Sequence, residues 1–100
     1  MIEIISFMVK KEPILHKAVT IRNELGLHAR SASQIAQIAM NAKGNVWLSK
    51  NEEKADATSI MDMLTLVCEK GTKIRIIIED PADTEILNAI VDLVDNGFGE

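Results

Sequence analysis

Lys73-Ile-Arg-Ile-Ile-Ile-Glu79, followed by Asp80-Pro-Ala-Asp-Thr-Glu-Ile-Leu-Asn-Ala-Ile-Val-Asp-Leu-Val94, decides the fold. Ile74, Ile76 and Ile78 recur at every second position, which places three β-branched side chains on one face of a strand. Pro81 cannot extend a hydrogen-bonded ladder and ends it. Asp83 is then placed to cap a helix whose apolar stripe is Ile86, Leu87, Ile90, Leu93 and Val94, with Gly97 just past its end. A one-faced strand and a one-striped helix are stable only when they bury those faces together.

Outward from that stretch the same two periods alternate. Ala18-Val-Thr-Ile-Arg22 carries Val19 and Ile21 on one side of a strand, and Asn23-Glu-Leu-Gly26 reads as a turn. From Ala29 to about Lys43 a narrow stripe of Ala32, Ile35, Ala36, Ala39 and Ala42 predicts a helix closed by Lys43-Gly44. Asn45 to Ser49 is a second strand with Val46 and Leu48 inward, and Lys54 to Ala57 is a short third one. Ser59 to Glu69 reads as a second helix burying Ile60, Met63, Leu64 and Val67, stopped by Gly71. The order βαββαβα predicts an α+β sandwich, three helices on one face of a four-stranded, mostly antiparallel sheet. Pro13 divides an N-terminal extension, residues 1–13, from a domain over 14–100.

Composition narrows the function. The net charge is −4 and three residues are aromatic. That argues against nucleic acid, which calls for a basic face or stacking platforms. A single cysteine forms no internal disulfide and fits a reducing compartment. One Cys and two His at scattered positions make no metal-ligand spacing, and nothing calls for a cofactor. Met1 to Met8 is apolar but too short for a membrane span, and its charge order is wrong for a signal peptide. The expectation is a cytoplasmic protein without membrane insertion.

Chemistry concentrates in Gly26-Leu-His-Ala-Arg30, where a loop becomes the first helix. A first helical turn presents free N–H groups and partial positive charge, which stabilise an anion. Arg30 adds donors shaped for phosphate oxygens. A neutral imidazole at such a place is a good nucleophile and, once phosphorylated, a good leaving group. By itself this pattern also suits a helix-capping or ordinary surface histidine.

Val19-Thr-Ile21, Gly26-Leu-His-Ala-Arg30, Ala55-Asp-Ala-Thr-Ser-Ile-Met61, the Leu66 to Gly71 segment and Gly97-Phe-Gly-Glu100 together resemble HPr. HPr is the histidine-containing phosphocarrier of the bacterial phosphoenolpyruvate-dependent phosphotransferase system. The likeness runs from about Leu15 to Glu100 and implies an open-faced β-sandwich. It implies that His28 accepts a phosphoryl group through Nδ1 from enzyme I, with Arg30 as charge partner, and passes it to an enzyme II A domain or a regulatory counterpart. Such a protein is a phosphoryl-transfer intermediate rather than a stand-alone turnover enzyme. The alternative is an HPr-like regulatory module that docks on a target without phosphotransfer.

The resemblance has departures. HPr proteins usually carry Pro after His-Ala-Arg, and here the residue is Ser31, whose N–H and hydroxyl either donate to a phosphate or loosen the helix start. Ser59-x-x-Asp62 is a helix cap with a capping-box-like partner, which suffices to explain Ser59. In HPr proteins of many bacteria the matching serine is phosphorylated by a serine kinase; Asp62, unusual at its place, would oppose a phosphoserine. Ile60 belongs to the buried stripe, whereas Met61 falls off it. The resemblance implies that this helix, with Ile60 and Met61, meets the partners.

Overall fold

The computed structural model describes residues 15–100, so the extension expected over 1–13 lies outside the described residues. The elements are β1 (Leu15–Thr20), α1 (Ala29–Ala39), β2 (Val46–Lys50), β3 (Glu53–Asp56), α2 (Ile60–Leu64), β4 (Lys73–Ile78) and α3 (Thr84–Asp95). Short 3₁₀ turns occupy Pro81–Asp83 and Gly97–Gly99. The sheet has the order β1-β4-β2-β3 with every neighbouring pair antiparallel. With three helices it is an α+β open-faced sandwich, the α+β layering implied by the element order and the open face by the resemblance.

The branched strand β4 lies centrally because it pairs on both sides. Val19 stands opposite Ile74, and Leu48 opposite Ile76. These residues, with Val46 and Ala55, face a core completed by Ile35 and Ala36 of α1, Met63 of α2, and Leu87, Ile90 and Val94 of α3. Ile21, Ile35, Leu48, Met63, Ile76, Ile78 and Ile90 are fully buried. Fully burying one such side chain contributes about 1.5–3 kcal/mol, so a core that is aliphatic apart from Phe98 can hold the domain. The small residues of α1 let it lie close to α2 and α3, which it contacts.

Local chemistry moved several expected boundaries. Helix α1 stops at Ala39 rather than near Lys43, with Met40 as its C-cap. The amides of Lys43 and Gly44 instead bind the Asp83 carboxylate, at 2.9 Å for each. Asp83 is buried and makes no side-chain cap to α3, contrary to expectation; Asp80 accepts from Ala82 N at 2.9 Å and caps the preceding turn. Helix α2 is also shorter than expected. Val67 takes a left-handed φ of 54° and is exposed, so it leaves the buried stripe, in which Ile60 and Leu64 are half-buried. Lys50 Nζ donates to the carbonyls of Leu66 and Val67, satisfying groups that a longer helix would have used.

Candidate functional site

The loop before α1 is held from three sides. Leu27 N donates to Cys68 O at 2.8 Å, tying the loop to the segment after α2. Gly26 has φ +69°, and a Cβ there would lie 2.5 Å from Cys68 O, so only glycine permits this approach. Asn23, almost fully buried, donates Nδ2 to Gly26 O at 2.8 Å. Cys68 is packed beneath as a buried thiol, and burial pushes its pKa up while Lys50 acts in the opposite direction. It serves as filler.

His28 occupies the N-cap of α1. Its Nδ1 accepts from Arg30 N at 3.3 Å, and its Nε2 lies 2.6 Å from Glu100 Oε2. A ring nitrogen that accepts from a peptide N–H carries a lone pair, so the proton sits on Nε2 and is donated to Glu100. The nitrogen with the free lone pair is therefore Nδ1, which faces the first turn. No acidic residue stands in that turn, so its partial positive charge is uncompensated. Arg30 lies exposed beside it. The site can receive an anion on an unprotonated imidazole nitrogen and counter ring charge from the opposite side.

Glu100 is the member that local sequence reading missed, since it is 72 positions from His28. It is brought back by the Gly97–Gly99 turn, in which buried Phe98 adopts a left-handed φ of 59°. Asn23 Nδ2 also donates to Glu100 Oε1, at 3.0 Å. The hydrogen bond from His28, then that from Asn23, holds the Glu100 carboxyl below the usual carboxylate range, and the charges of His28 and Arg30 act in the same direction. Only the Gly97-Phe-Gly-Glu100 motif hinted at this residue. Leu25, Arg30, Gln34, Phe98, Gly99 and Glu100 line a depression of about 400 Å³ beside the ring.

Ser31 corrects one expectation. It is fully buried, and its hydroxyl accepts from His28 N at 2.8 Å while lying within reach of Gly26 O and His28 O. It secures the helix start rather than loosening it, and its hydroxyl is turned away from any ligand at Nδ1.

The second group of expected site residues lies on α2, which packs against α1. Ser59 Oγ accepts from Asp62 N at 3.1 Å, a cap as expected. The reciprocal half of the box is missing, because the Asp62 carboxylate accepts from Asp56 N at 2.8 Å instead. Ile60 is half-buried, and Met61 is 77% exposed. His16 is exposed on β1, with Nδ1 3.0 Å from Arg75 Nη1, far along the sheet from this chemistry. Among the described residues no helix is long and apolar enough to cross a membrane.

A strand-loop-helix junction with an imidazole at the cap, in an open α+β sandwich, is a geometry that can serve phosphoryl transfer. The family model for the phosphotransferase-system HPr component phosphorylation site matches residues 15–96. The phosphocarrier protein HPr of Neisseria meningitidis is 36% identical over 87 residues, covering 87% of this chain and 98% of that one. HPr of Thermoanaerobacter tengcongensis has 32% identity and a TM-score of 0.80, over 86% and 97% of the two chains. The catabolite repression protein Crh of Bacillus subtilis has 31% identity and a TM-score of 0.66, over 78% and 90%. The chain belongs to the HPr family of phosphocarrier proteins of the phosphotransferase system.

Proposed function

We propose that residues 14–100 form a carrier domain in which His28 Nδ1 accepts a phosphoryl group from the phosphohistidine of enzyme I and passes it to an enzyme II A domain or a regulatory counterpart. The observation that carries this reading is the two-sided restraint of the ring, with Arg30 N–H at Nδ1 and Glu100 at Nε2. As Nδ1 attacks phosphorus, the P–N bond forms and the bond to the donor nitrogen breaks. Because Nε2 keeps its proton, the ring becomes cationic, and the Glu100 carboxylate balances that charge. When the acceptor attacks, the P–N bond breaks and the ring leaves as neutral imidazole because Nε2 has kept its proton, so holding that proton in place serves both directions. Arg30 and the first-turn amides bear on the phosphoryl oxygens, and placement plus electrostatics supply most of what phosphoryl transfer needs.

Exposed Met61, with half-buried Ile60, forms a docking point on α2 for both partners; methionine adapts to different surfaces. Ser59 is chiefly the cap of this helix, and a serine kinase acting there would add charge beside the docking residues. The likeness to Crh supports the second reading, a regulatory docking module. His28, Arg30 and Glu100 acting on one ring favour the carrier, since docking alone uses none of them. The test is incubation with enzyme I and phosphoenolpyruvate, followed by mass measurement of acid-labile phosphate. Stoichiometric labelling supports the carrier; a protein that binds but takes no phosphate supports the docking module.

A further inference from the structure

Ser31 stands where the resemblance leads one to expect proline, and the two residues differ at that position in more than shape. Proline has no peptide N–H. Ser31 does, and it is the third residue of α1, before the first amide with a partner in the helical ladder, Ala32 N, which bonds His28 O at 2.8 Å. The Ser31 amide is thus one of the orphan donors of the helix start, and it faces the His28 side chain within a reciprocal capping box. Its own hydroxyl closes the other half of that box on His28 N.

Resting on the carrier reading, we propose that Ser31 gives this protein a phosphoryl contact that a proline-bearing carrier cannot make. The hydroxyl positions the His28 peptide from below, and the Ser31 N–H takes a phosphoryl oxygen alongside Arg30 N–H. In the unphosphorylated protein these amides face the lone pair of Nδ1. Formation of the P–N bond consumes that lone pair and puts oxygens in its direction. Arg30 N–H thereby exchanges its 3.3 Å bond to a neutral acceptor for one to an anion, and the Ser31 N–H, outside the helical ladder, gains an anionic partner. The peptide hydrogens stay on nitrogen throughout, so no proton is moved.

The test reads the amide directly. Protein labelled with ¹⁵N is phosphorylated with enzyme I and phosphoenolpyruvate, and the Ser31 and Arg30 amide protons are followed by NMR. Both are expected to move downfield and to exchange more slowly with solvent in the phosphorylated form, a change that a merely structural role would not produce. Ser31→Pro is expected to shift the transfer equilibrium with enzyme I against this protein by about tenfold. Ser31→Ala keeps the N–H but loses the hydroxyl that holds the His28 peptide, so it should melt earlier and shift that equilibrium less than Ser31→Pro does. A Ser31 amide that stays put on phosphorylation while Arg30 moves overturns the inference, whether or not Ser31→Pro folds. Labelling that persists in His28→Ala overturns the carrier reading instead.

Discussion

The starts of α1 and α2 look alike in outline: an extended cap residue, a side chain accepting from the first turn, and a polar residue three positions on. Their chemistry is opposite. At α1 the cap is an imidazole, the third residue is a neutral serine turned inward, and no acid offsets the helix dipole. At α2 the cap is a hydroxyl, and Asp62 already supplies negative charge in the first turn. The carboxylate nearest the first site stands on the far side of the ring, at Nε2, away from the helix start. A helix start thus invites or repels phosphate according to where the nearest carboxylate is placed.

The largest expected effect breaks this comparison at its centre. His28→Ala should abolish acid-labile labelling, and His16→Ala should leave it intact, as measured by intact-protein mass. Glu100→Gln should fold and still be labelled, but accept phosphate about tenfold more slowly, the scale of one charge-assisted hydrogen bond; an unchanged rate in rapid-quench kinetics would remove Glu100 from the mechanism.

Smaller effects sharpen the contrast at α2. Ser59→Asp keeps a capping oxygen and should be folded, yet accept phosphate from enzyme I more slowly than Ser59→Ala, because its charge adjoins Ile60 and Met61. Equal rates would leave Ser59 as a cap alone. Ser59→Ala itself should cost about 1 kcal/mol in denaturant unfolding.

The smallest effect is a pH dependence. Glu100 has a folded pKa below its unfolded value, so its contribution to stability is fully present above the ordinary carboxylate range and is lost as pH falls through the depressed value. Wild type and Glu100→Gln should therefore differ in stability at neutral pH and converge in acid. A difference that grows on acidification would contradict the assigned sign.

The strands and the candidate histidine were legible because each is written locally. Ile74, Ile76 and Ile78 state their face by period two, and Gly26-Leu-His-Ala-Arg30 states a loop-to-helix junction. What escaped depends on partners distant in sequence. Asp83 looked like a cap because its position suited one, but the amides of Lys43 and Gly44, 40 and 39 positions away, compete for its carboxylate and win. Helix α2 ends early for a similar reason, since Lys50 offers its carbonyls another donor. Glu100 and Asn23 join the site only through the closing turn, and no spacing rule connects position 100 with position 28.

That closing turn has a kinetic consequence. Bringing Glu100 to His28 closes a loop of 72 residues, a path that the antiparallel pairing of β1 with β4 shortens. The imidazole is thus placed by local structure, while its carboxylate partner depends on long-range contacts. Opening of the Gly97–Gly99 turn alone would leave the sheet intact and the imidazole without its carboxylate. Native-state hydrogen exchange should find the amides of Gly99 and Glu100, bonded to Asn96 and Gly97, opening at far lower free energy than those of β4.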